Sequence, residues 1–76
     1  MVGTLDDLKL NECGVVLELC GEESITRRLL DLGLVNGARA ECVLTSAFGG
    51  VKAYWIKGAL IAIRNEDAKN IFVEVV

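Results

Sequence analysis

The sequence contains no histidine and no proline. Without an imidazole, the Ser-His-Asp and Cys-His nucleophile systems are excluded, and the commonest transition-metal ligand is missing. Ser24 and Ser46 therefore have no obvious base, and Ser24 reads as a helix cap. The lack of proline, together with a 53% hydrophobic content, argues against a disordered or low-complexity chain. Aromatic side chains are few: Phe48, Tyr54, Trp55 and Phe72. That is a poor supply for the ring-lined groove of a peptide-binding adaptor. Positive charge is also short. Eight Lys and Arg stand against 11 Asp and Glu, for a net charge of −3. Phosphate backbones are held mainly by cations, so no nucleic-acid partner is expected. The longest strongly apolar run, Gly58 to Ile63, falls far short of a membrane span, so no direct membrane insertion is expected. Gly49-Gly50 leads into a strand rather than a helix bearing Lys and Ser/Thr, so it is no phosphate cradle.

What is present fits a small binding module. At 76 residues the chain makes one domain, 1–76, whose net stability is roughly 3–5 kcal/mol. So small a core leaves little room for a substrate cavity, and neither an enzyme nor a small-molecule substrate is expected. The three cysteines, Cys13, Cys20 and Cys42, cannot all be paired, and no secretory signal precedes them. Free thiols suit a reducing cytoplasm. Their spacing lacks the close pairs of structural zinc sites, and if Cys13 and Cys20 both lie along the first strand, their odd separation puts them on opposite faces. They read as buried small hydrophobes, with no metal or cofactor expected. The carboxylates Asp6, Asp7, Glu22, Glu23, Glu66 and Asp67 sit at helix starts, where they complement the dipole. No pair signals general acid–base work.

The pattern is mostly β. Thr4-Leu5-Asp6-Asp7 signals a capped turn seated on the core by Leu5 and Leu8. Gly14 to Cys20 alternates as a strand, with Val15, Leu17 and Leu19 on one face and Val16, Glu18 and Cys20 on the other. Ser24 caps a helix whose stripe is Ile25, Leu29 and Leu32, widened by Leu30. Arg27, Arg28 and Asp31 take its wet side. Gly33 supplies a left-handed stop, and Asn36-Gly37 a tight turn. Ala38 to Leu44 is the next strand, with Ala38, Ala40, Cys42 and Leu44 facing inward. Val51 to Lys57 and Leu60 to Arg64 flank Gly58-Ala59, the signature of a type II′ hairpin. Asn65 to Ala68 forms a helical turn, and Ile71 to Val76 closes the chain as a strand. Five short strands with one α-helix between the first two predict an all-β fold with short helices, an antiparallel β-barrel.

The motifs Leu5-x-x-Leu8, Gly14-Val15-Val16, Arg28-Leu29-x-Asp31-Leu32-Gly33-Leu34-x-x-Gly37 and Gly58-x-x-Ile61-Ala62-Ile63-Arg64-x-x-Asp67-Ala68 occur in that order along the whole chain. Together they closely resemble the FeoA family of bacterial ferrous iron uptake. Two departures are visible. Asn11-Glu12 stands where relatives often carry Pro-Gly, and Val51 follows Gly50 where many carry proline. The resemblance implies a small SH3-like barrel without catalytic residues. It also implies a partner, the cytoplasmic part of the FeoB membrane permease. The same module resembles the C-terminal domain of iron-dependent repressors, which leaves a metal-linked regulator or co-repressor as the alternative.

For an interaction module the expected surface is Arg27 and Arg28 on the helix, Leu34 and Val35 after it, and the loop carrying Phe48. At least one of Leu34 and Val35 is expected to be exposed. Phe48 lies beside two glycines, where its ring either anchors a partner or folds back over the barrel mouth.

Overall fold

The computed structural model describes residues 1–46 and 49–76. Its elements run β1 (Val2–Thr4), a 3-10 turn (Leu5–Asp7), β2 (Cys13–Leu19), α1 (Glu23–Asp31), β3 (Arg39–Thr45), β4 (Val51–Ile56), β5 (Ala59–Arg64), α2 (Asn65–Ala68) and β6 (Ile71–Val75). The strands form one antiparallel sheet of six in the order β1-β6-β2-β3-β4-β5. Two expectations are corrected here. The sheet does not close, since β1 and β5 are its two ends. The helix lies between the second and third strands, because Val2–Thr4 adds a strand ahead of those expected. Val2-Gly3-Thr4 is too short to show a period of two; its pairing with β6 makes it a strand.

One face of the bent sheet is packed. Val16, Ala40, Cys42, Tyr54, Ile56, Ile61, Ile63, Ile71 and Val73 point inward, and Leu5, Leu8, Leu29, Leu34 and Ala68 close over them. Leu5 and Leu8 seat the 3-10 turn, as expected, and Asp7 Oδ2 accepts the Thr4 N–H at 2.9 Å. Two register shifts bend the sheet: one between Val16 and Glu18, the other between Cys42 and Leu44. An extra residue at a bulge moves later side chains to the other face. So Leu44, expected inside with Cys42, is exposed, and Leu19, three residues after the inward Val16, packs against the core.

The β4–β5 hairpin turns at Lys57-Gly58, one residue before the expected Gly58-Ala59. Ile56 pairs with Ala59, and φ is +49° at Lys57 and +81° at Gly58. Two successive positive φ values make a type I′ turn, which matches the strand twist.

Helix α1 begins after Glu22 rather than at Ser24, whose hydroxyl donates to Glu22 Oε1 at 2.7 Å. Glu23 and Arg27, one turn apart, pair at 3.0 Å. Ile25 and Leu29 face the core, but Leu32 is 46% exposed. The reason is the way the helix stops. Gly33 takes φ +107°. Its N–H bonds the Leu30 carbonyl at 3.0 Å, and the Leu34 N–H bonds the Leu29 carbonyl at 3.1 Å. This is a Schellman stop, in which the residue after the glycine packs on the residue three before the cap. Leu34 thus takes the core place that the helical stripe gives to Leu32. Gly33→Ala should cost about 1–2 kcal/mol, because a Cβ disfavours the left-handed region. That Cβ would also meet the Lys57 side chain at 3.3 Å. Urea denaturation of the two proteins measures the difference.

Candidate protein-interaction surface

The wet side of α1 carries Arg27 and Arg28, both exposed. Arg27 is engaged by Glu23. The Arg28 guanidinium has no partner among the described residues. After the helix stop, Val35 is 36% exposed while Leu34 has no accessible surface. Leu34 therefore leaves the expected surface, for the reason just given, and Val35 stays. Phe48 lies outside the described residues. The structure brings Arg27 and Arg28 together on one helix, with Val35 beyond the turn.

The outer face of β3, β4 and β5 adds a patch that the periodicity did not locate. Tyr54 and Trp55 point opposite ways, as adjacent strand residues must. Tyr54 is fully buried and its hydroxyl donates to the Leu5 carbonyl at 3.2 Å, while Trp55 is 49% exposed. Trp55 sits directly across from Leu60, and Ala53 across from Ala62 and next to Leu44. Leu44, Leu60 and Ala62 are exposed as well. Contiguous apolar side chains on an outer sheet face mark an interaction site more often than isolated ones do. The signal was partly legible, since the Tyr-Trp pair guaranteed one outward ring. The choice between them needed the hairpin register, which shifts with the turn.

Between α1 and β5 a cleft of about 320 Å³ is lined by Arg28, Leu32, Ala62, Arg64 and Asp67, among others. Arg64 is already neutralised: its Nε donates to Asp67 Oδ2 at 3.2 Å, and its Nη1 lies 3.2 Å from Glu66 Oε1. Among the described residues Arg28 is the charged side chain of this cleft without a partner.

Reactive chemistry is sparse. Burial pushes the Cys42 thiol up, against the lowering field of Lys52, so the nucleophilic thiolate is disfavoured. Burial also raises the Tyr54 phenol. Among the described residues no three Cys, Asp or Glu side chains come together as a metal ion would require. No helix among them is long and apolar enough to cross a membrane. The arrangement offers an apolar outer face, an open strand edge and a free guanidinium, which are means of contact.

The model of the FeoA domain family matches residues 3–75. The chain is similar to the solution structure of the FeoA protein from Chlorobium tepidum, with 30% identity and a TM-score of 0.92 over 96% of this chain and 70% of that one. It is also similar to a zinc-complexed crystal structure of FeoA from Stenotrophomonas maltophilia. That protein is described as an SH3 domain protein possibly acting as a ferrous iron transport activating factor. Identity is 28% and the TM-score 0.83, over 93% of this chain and 88% of that one. A manganese-dependent transcriptional repressor shares the fold, with a TM-score of 0.89 at 17% identity, over 99% of this chain and 41% of that one. Comparison with curated proteins gives no match.

Proposed function

Because the chain belongs to the FeoA family, whose fold is SH3-like and whose setting is ferrous iron transport, we propose that it is a non-enzymatic cytoplasmic accessory protein of ferrous iron uptake. It acts by contact with the cytoplasmic part of a FeoB-type permease. The observation that carries this reading is the exposed surface itself, where Arg28, unpaired among the described residues, joins the apolar Trp55–Leu60 face and Val35. Charged rims steer encounter and set specificity, while apolar centres supply affinity.

Reversal of both arginines, Arg27→Glu with Arg28→Glu, is expected to lower affinity for the permease's cytoplasmic part by about tenfold or more. The unfolding midpoint should stay close to wild type, because neither side chain is buried. Calorimetric titration alongside thermal unfolding checks both halves. Unchanged affinity would remove the pair from the interface.

A second reading, a metal-linked regulator or co-repressor, draws support from the fold shared with the repressor. Equilibrium dialysis against Fe²⁺ without oxygen separates the two. Stoichiometric binding lost on Cys13→Ser or Cys20→Ser would favour the regulator.

A further inference from the structure

The two ends of the sheet are unlike each other. At one end β1 is only three residues long, a common way of blunting an edge. At the other end β5 runs for six residues, Ala-Leu-Ile-Ala-Ile-Arg, and pairs with β4 without any register shift. It has no proline, lysine or bulge to protect it, all of which natural edges commonly use.

The hairpin register says which of its backbone groups are free. Ile56 and Ala59 close a two-residue turn, so they form a hydrogen-bonded pair, and bonding alternates from there. Ala59, Ile61 and Ile63 therefore bond to β4. The bond from Asn65 N–H to the Gly50 carbonyl, 2.8 Å, continues that alternation. Leu60 and Ala62 aim their N–H and C=O groups away from the sheet. The cleft beside α1 opens at this point, between Ala62 on the strand and Leu32 and Arg28 on the helix.

We propose, resting on the reading that the chain works by protein contact, that the free edge of β5 takes up an extended acidic segment of the partner as an added strand, lying in the cleft beside α1. Strand addition at a sheet edge draws affinity from main-chain hydrogen bonds and specificity from flanking side chains. Leu32 and Ala62 give the incoming segment an apolar wall. Arg28, with no acid of its own, selects a carboxylate. A second copy of this chain is the poorer occupant. Two-fold pairing of β5 with itself is isologous, so the carboxylates it brings to Arg28 are Glu66 and Asp67, which Arg64 already engages.

The test uses isotope-labelled protein and a synthetic peptide of alternating valine and threonine ending in two glutamates. Its controls are a lysine-ended counterpart and forms N-methylated at alternate amides in either register. With the glutamate peptide, the Leu60 and Ala62 amides should shift and their hydrogen exchange should slow by about tenfold or more. One of the N-methylated forms should fail. Arg28→Glu should weaken binding by about tenfold. Ala62→Pro should abolish it while keeping the fold, since the N–H it removes is not part of the ladder. Three results would overturn the proposal: unmoved Leu60 and Ala62 amides, equal binding of the lysine peptide, or protection that grows with protein concentration and no peptide, which assigns the edge to a second copy. The permease's cytoplasmic part distinguishes this inference from the function beneath it. If it binds Ala62→Pro as well as wild type, strand addition is wrong and the permease reading stands. If it ignores the wild type while the acidic peptide protects both amides, the reverse holds.

Discussion

Leu34→Ala is expected to remove about 2–5 kcal/mol of stability, the usual range for truncating a buried leucine. A domain of this size has roughly 3–5 kcal/mol in total, so much of the protein should be unfolded at room temperature. Leu34 has no accessible surface, and its N–H is one of the two bonds that end α1. Truncation opens a void where the helix stop locks onto the sheet, and α1 is held to the core mainly through Leu29, Leu34 and the partly buried Ile25. The neighbouring Val35→Ala should stay within about 0.5 kcal/mol of wild type, as exposed positions usually do. Denaturant titration of both variants is the check. Equal stability would put Leu34 back on the surface.

Lys52→Met ranks next, with an expected loss of about 2–3 kcal/mol from stranded buried acceptors. The Lys52 ammonium reaches across from β4 to the N-terminal turn. It donates to the Asp6 carbonyl at 2.6 Å and the Leu8 carbonyl at 3.3 Å, and lies 3.7 Å from Asp6 Oδ1. Asp6 Oδ1 is buried with no hydrogen-bond partner, so the lysine is its nearby compensation. The side chains are 19% and 18% exposed, largely out of water. Methionine keeps the aliphatic stem and removes only the charge and the donors. Asp6→Asn, which leaves both carbonyl bonds in place, should cost clearly less in the same denaturation experiment. If the two cost the same, the ion pair and not the carbonyl contacts holds the turn.

Local patterns were legible wherever neighbouring residues decide the outcome. The helix, the glycine that stops it and the later strands follow from apolar spacing and from the special conformations open to Gly33 and Gly58. Non-local pairing decided the rest. The two register shifts turned Leu44 outward and Leu19 toward the core, although each lies in a strand that alternates well. A turn displaced by a single residue put Leu60 opposite Trp55. The failure at Leu34 was avoidable, because the left-handed stop recognised at Gly33 carries with it a buried residue just beyond. On the candidate surface, the exposure of Arg27 and Arg28 could be read from the helical wheel. The cleft between Leu32 and Ala62 could not, since it joins elements about thirty residues apart in the chain and depends on the sheet staying open.

The place of β6 between β1 and β2 bears on how the molecule is made. Val2 pairs with Glu74 and Val16 with Val73, so an interior strand of the sheet is drawn from residues that follow every other strand in the chain. Contacts of such wide separation close slowly. Until β6 is in place, the sides of β2 and the short β1 that face it stay unmet, while the hairpin from Val51 to Arg64 can already form. A chain cut before Ile71 should therefore be open to protease, and one that keeps β6 should resist it.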